Sequence, residues 1–97
     1  MILFGNIKKG LAEYRNTADA VLLDVREEDE FLAGHIPGAV NQPLSAIDQI
    51  TLPKEKALFV YCLRGTRSRR AVSILKKMGY QAKSIGGIMD YAGPVEK

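Results

Sequence analysis

The segment Val60–Val72, VYCLRGTRSRRAV, holds the one cysteine of the chain and four of its six arginines, at positions 64, 67, 69 and 70. No acid lies among them. A thiolate is a strong nucleophile, and guanidinium groups attract anions. On composition alone, a lone cysteine reads as a small buried hydrophobe. The local pattern argues otherwise. A core filler has no use for Gly65 three residues on and Arg67 five residues on. Gly65 removes a side chain where the backbone would curl around an anion. A solvated helix face accounts for Arg69 and Arg70, beyond the turn, better than for Arg67, where the turn closes.

The elements that must position this thiol follow from periodicity. KALFVYC, residues 56–62, is an apolar run, as is AVLLDV, residues 20–25, and both read as buried strands. SRRAVSILKKMGY reads as a helix beginning near Ser68. Ala71, Val72, Ile74, Leu75 and Met78 share one face, and Gly79 ends it. NIKKGLAEYRN predicts a helix capped by Asn6. The acids at 27–30 suit the first turn of another, stopped by Gly34. IPGAVNQP reads as a brief strand between turns, LSAIDQI as a short helix with Ser45 as cap, and QAKSI as a last strand. Alternating strands and helices predict an α/β fold: an open parallel sheet of four to five strands with helices on both faces. Cys62 then ends a central strand, where ligands bind in open α/β sheets. Convergent backbone N–H groups, the positive end of a helix dipole and nearby guanidinium groups all favour thiolate over thiol there.

Global properties narrow the function classes. The chain has 97 residues and is read as a single domain over 1–97. A net charge of +3 mildly favours anionic small molecules and does not by itself imply nucleic acid. One cysteine excludes an internal disulfide and a multi-cysteine zinc site, and one histidine argues against a metal centre. MILFGNIKKG has too short an apolar run for a signal peptide, and no stretch approaches a membrane span. The expectation is a cytoplasmic protein with a free thiol, no metal and no cofactor.

Three motifs give the chain a family resemblance. LLDVREEDEFLAGHIPGAVNQP, CLRGTRS and IGGIMDY stand in the order and form seen in single-domain rhodaneses, proteins of the thiosulfate sulfurtransferase type. Tyr91 stands where an aromatic tryptophan is common in that family. The resemblance implies a rhodanese fold and a catalytic cysteine, Cys62. Leu63, Arg64, Gly65, Thr66, Arg67 and Ser68 would form the substrate-binding loop. The implied chemistry is attack of Cys62 on the sulfane sulfur of a donor such as thiosulfate or a persulfide. A Cys62 persulfide would result, and its sulfur would pass to a thiol or to cyanide. The resemblance also gives Asp24, Arg26 and His35 structural roles near the site, and Gly86 and Gly87 a tight backbone approach. Whether Asp24 pairs with Arg26 or with a loop arginine stays open. Arg67 is expected to close the cradle with its backbone N–H and to hold the loop through a carboxylate, either Asp24 or one of the acids at 27–30.

The rival readings are a non-enzymatic rhodanese-type binding, sulfur-carrier or regulatory module, and a cysteine phosphatase or arsenate reductase. Phosphatases of this kind use C-x5-R to surround a tetrahedral phosphate. Here Cys62 to Arg67 is C-x4-R, a tighter loop suited to one sulfur atom. Reading Ser68 as the clamping position would replace a bidentate arginine by serine. Leu63 and Arg64 depart from the usual loop and point to an anionic donor or an acidic partner. The expected partners are the small-molecule donor and acceptor, with a protein sulfur-transfer partner as a further one. The chain is expected to act as a monomer, with no nucleic acid and no membrane.

Overall fold

In the computed structural model, residues 6–97 are described; the reading of the N-terminal run as too short for a signal peptide rests partly on residues 1–5, outside them. The elements in chain order are α1 (Ile7–Arg15), β1 (Ala20–Asp24), α2 (Glu28–Ala33), β2 (Val40–Asn41), a 3-10 helix (Leu44–Gln49), β3 (Ala57–Cys62), α3 (Thr66–Lys77), β4 (Gln81–Gly87) and a 3-10 turn (Ile88–Asp90). Asn6 caps α1 by accepting the Lys9 N–H at 3.2 Å. Among the described residues no helix is long and apolar enough to cross a membrane.

The four strands form one parallel sheet in the order β2-β1-β3-β4. Chain direction across the sheet therefore reverses between β1 and β3. The carboxyl ends of those two strands, at Asp24 and Cys62, flank the crevice where open α/β sheets bind ligands.

Side-chain alternation assigns each group to a face. Leu58, Val60 and Cys62 join Ala71, Val72 and Leu75 of α3 and Ile47 of the 3-10 helix in one core. Phe59 and Tyr61 join Ile7 and Leu11 of α1, with Leu22, Ile36 and Ile85, in the other. Burial on both faces explains why β1 and β3 are continuous apolar runs rather than alternating ones. It also sends the Cys62 sulfur to the α3 side, toward the start of that helix.

Two local expectations are corrected. The helix α3 starts at Thr66, not near Ser68, because Gly65, at φ 117°, takes the position before it. Ser45 does not cap the short helix. Pro43 holds that position, and the Ser45 hydroxyl donates instead to the Glu27 carboxylate at 3.0 Å.

Candidate active site

Cys62 is a free thiol, 1% exposed, at the last position of β3. The chain turns at once into α3. The backbone N–H groups of Gly65 and Ser68 lie 3.0 and 3.3 Å from the sulfur. Two aligned donors and the positive end of a 12-residue helix thus converge on one atom. The turn needs the left-handed conformation at Gly65, which an L side chain rarely adopts. Ser68, not Arg67, supplies the second donor, so the expectation that the Arg67 N–H closes the cradle is corrected.

The loop is braced from three directions, twice by side chains and once by backbone. The Ser68 hydroxyl, fully buried, bonds the Gly65 carbonyl at 3.0 Å and meets the Ser84 hydroxyl at 2.7 Å. The Leu63 carbonyl accepts the Met89 N–H at 3.0 Å, and the loop backbone approaches Gly87 at the end of β4. A Cβ on Gly87 would fall 2.1 Å from the Leu63 carbonyl oxygen, so glycine there is a condition of that approach. The guanidinium of Arg67 makes a bidentate pair with Glu30 of α2, with Nη1 to Oε1 at 2.7 Å and Nη2 to Oε2 at 3.0 Å.

This pair sets the local charge. The Arg67 hydrogen bonds, against burial and with help from the Glu27 N–H, hold the Glu30 carboxyl well below its ordinary value, at about 2. Arg67 is raised in turn, first by the Glu30 hydrogen bonds. The Glu30 charge and the nearby Cys62 add to this. Arg67 is therefore already engaged by a carboxylate. Arg64 and Thr66 are exposed on the rim, Arg64 without an ion pair among the described residues, and Leu63 is half-buried.

Asp24 and Arg26 lie on the other face, beside Tyr61. Arg26 donates from its backbone N–H to Asp24 Oδ1 at 2.9 Å, and from Nη2 to Oδ2 at 2.8 Å. Nη2 also reaches the Gly34 carbonyl at 2.8 Å. The structure thus pairs Asp24 with Arg26 and not with a loop arginine. Burial lowers the pKa of Arg26, but Asp24 more than offsets this and the net direction is up. Burial, and then the Asp24 charge, push the Tyr61 phenol up. The pair is linked to the loop through α2. It fixes Gly34 at the end of that helix, and α2 carries Glu30.

His35 stands on the same α2 junction. Its ring stacks on Phe31 at 3.7 Å, its Nδ1 bonds the Phe31 carbonyl at 2.9 Å, and its Nε2 lies 3.7 Å from Glu96 Oε1. Its backbone forms a two-way bridge with Glu96. These contacts tie α2 to the C-terminal segment.

Sequence reasoning did not find Ser84, Met89, Tyr61 or Asn41. The Asn41 amide donates to the carbonyls of Asp24 and Arg26 at 3.0 and 2.9 Å. Asn41 sits in the quoted GAVNQP motif, a signal that was available. Met89 likewise sits in the quoted IGGIMDY motif, whereas Ser84 carries no comparable signal, since only the β3–β4 pairing brings it to the loop.

The family model described as "Rhodanese-like domain" matches residues 8–93. Thiosulfate sulfurtransferase PspE of Escherichia coli is 35% identical over 80 residues, which cover 77% of each chain. Adenylyltransferase and sulfurtransferase uba4 of Ogataea parapolymorpha is 34% identical over 80 residues, 77% of this chain and 21% of that one. Against several curated relatives the chain spans less than two thirds of their length, 64% at most and 16% at least in that group. Among solved structures, a rhodanese-related protein from Thermoplasma volcanium superposes with a TM-score of 0.76. It is 31% identical over 90% of this chain and 93% of that chain.

Proposed function

The chain belongs to the rhodanese-like family, and on that premise we propose that it is a sulfurtransferase working through a persulfide on Cys62. The observation that carries the reading is the convergence of the Gly65 and Ser68 N–H groups on the Cys62 sulfur. This cradle offers two donors to a single atom, which suits a thiolate and then the inner sulfur of a persulfide. It takes residues 1–97 as one rhodanese domain.

In the first half-reaction the Cys62 thiolate attacks the outer sulfur of thiosulfate. The new bond is sulfur to sulfur, the old sulfur–sulfur bond breaks, and its electron pair leaves with sulfite. In the second, cyanide or a thiolate attacks the outer persulfide sulfur, and the electron pair of the broken bond returns to Cys62. Neither half needs a proton transfer when the attacking sulfur is ionised. His35, held by Phe31 and Glu96, has no part in either. Arg64 on the exposed rim meets the anionic donor; Arg67, engaged by Glu30, keeps the loop in shape.

The test is thiocyanate production from thiosulfate and cyanide, with p-nitrophenyl phosphate as the competing substrate. Thiocyanate is expected, with no phosphate release. Phosphatase turnover without thiocyanate would refute the assignment. Loading of Cys62 without turnover would instead leave a sulfur-carrier module.

A further inference from the structure

The region between Glu55 and Asp90 contains eight cations and no acid. Three of the eight, Lys56, Arg67 and Lys83, are paired with acids from other parts of the chain. The loop and α3 carry the other positions, of which Arg69 has contacts of its own. Arg64 is exposed at the mouth of the site, and Arg70, Lys76 and Lys77 are exposed along the helix. Thr66, Arg70, Ser73 and Lys77 follow helical spacing on one exposed stripe. Its 12 residues extend about 18 Å from the cradle at the usual rise per residue.

A solvated helix face normally mixes both signs, because acids four residues from bases support the helix. On α3 there is no acid to do so. The helix dipole accounts for Lys76 and Lys77 in the last turn, but not for Arg70 in the first half, where a cation is unfavourable. Nor does a small donor account for the stripe. Thiosulfate needs charge at the mouth, and Lys77, about 16 Å along the helix from Thr66, lies beyond a Debye length of roughly 8–10 Å. Beside the loop stands Met89, 58% exposed and fixed by its N–H to the Leu63 carbonyl. A thioether offers nothing to an inorganic dianion, but it is adaptable apolar surface for a protein.

We propose that Arg64, the exposed stripe of α3 and Met89 form a docking surface for an acidic protein that presents a thiol to the Cys62 persulfide. The partner's thiolate takes the outer sulfur, and the electron pair of the broken bond returns to Cys62. A protein is favoured over a nucleic acid because neither the loop nor α3 contains an aromatic residue on which a base could stack. The proposal rests on the sulfurtransferase reading for what is exchanged, but not for whether the surface binds.

The experiment uses the full chain and three fluorescent probes: a glutamate-rich peptide with one cysteine, its glutamine-for-glutamate counterpart, and a single-stranded oligouridylate of matched charge. Anisotropy reads binding without any sulfur chemistry. Transfer from the thiosulfate-loaded protein to each peptide is then followed. At low salt the acidic peptide should bind about tenfold tighter than the neutral one and accept sulfur faster to a similar degree. High salt and the double variant Arg70→Glu/Lys77→Glu should each remove the preference, while thiocyanate turnover in the variant stays at the wild-type level. Arg70→Gln/Lys77→Gln should give a smaller loss of the same kind, and it serves if the charge reversal fails to fold. Equal binding of the two peptides, or a preference that survives both variants, overturns the proposal. So does tighter binding of the oligouridylate than of the acidic peptide. Binding as expected without any loading of Cys62 would refute the sulfurtransferase reading and leave the surface standing.

Discussion

Two acceptor groups sit at the carboxyl ends of adjacent strands, Asp24 on β1 and Cys62 on β3, and the protein treats them in opposite ways. Asp24 is fully buried and receives a whole guanidinium plus a backbone N–H from Arg26. Cys62 is as deeply buried but receives only two backbone N–H groups and a helix terminus. The loop guanidinium of Arg67 is held by Glu30 instead. A full counter-charge in direct contact ties Asp24 into a structural pair. Oriented dipoles stabilise negative charge without placing a counter-charge in contact with the sulfur. Glu30 thus ties the Arg67 guanidinium of the loop to α2.

The strongest break of this comparison is on the Cys62 side. Cys62→Ser is nearly isosteric and forms no persulfide, so thiocyanate production should fall to background with an unchanged fold by circular dichroism. On the Asp24 side the effect falls on stability. Asp24→Asn leaves Arg26 buried without its counter-charge, a loss of about 3–5 kcal/mol. For a domain this small, the melting temperature should fall on the order of 15 °C or more. Turnover per folded molecule should stay near wild type, and a melt within a degree or two of wild type would break the comparison.

Arg67→Ala probes the link between the two regions. The side chains of Arg67 and Glu30 are 34% and 30% exposed, so the loss is expected at about 1 kcal/mol, smaller than for a buried pair. The melting temperature should drop by about 5 °C, with turnover reduced as well. A variant that melts like the wild type and loses only thiosulfate affinity would make Arg67 a donor-binding residue.

The same pair sets a pH dependence. The Glu30 carboxyl is lowered in the folded state from 4.5 to about 2, so its contribution is complete above about 4.5 and is lost as pH falls toward 2. Urea denaturation across that window should show the stability gap between wild type and Arg67→Ala closing with acidification. A gap constant down to pH 2 contradicts the assignment. The smallest effect belongs to Arg64→Ala, which should raise the KM for thiosulfate several-fold with little change in melting temperature.

The fold was largely legible because its signals are local. Apolar runs buried on both faces marked β1 and β3, and Gly34 and Gly79 marked helix ends. The cysteine, the glycine of the turn and the strand-to-helix junction were also readable, since all lie within seven residues of one another in sequence. Partner choice was not. Glu30 is one of four consecutive acids, and only the packing of α2 selects it for Arg67, 37 residues away. The Ser45 cap failed for a related reason. A proline already occupied the cap position, and Glu27, 18 residues upstream, took the hydroxyl. Gly87 could be read as a tight approach, but the Leu63 carbonyl that it accommodates is visible only in the folded sheet.

The central claim is that Cys62 carries the sulfur, and mass spectrometry of the intact protein tests it most directly. After brief incubation with thiosulfate and removal of the donor, the wild type should gain about 32 Da, the mass of one sulfur atom held covalently. The gain should map to the peptide containing Cys62 and disappear when cyanide is added. A wild type that gains no mass, or a Cys62→Ser variant that gains the same mass, would contradict the account.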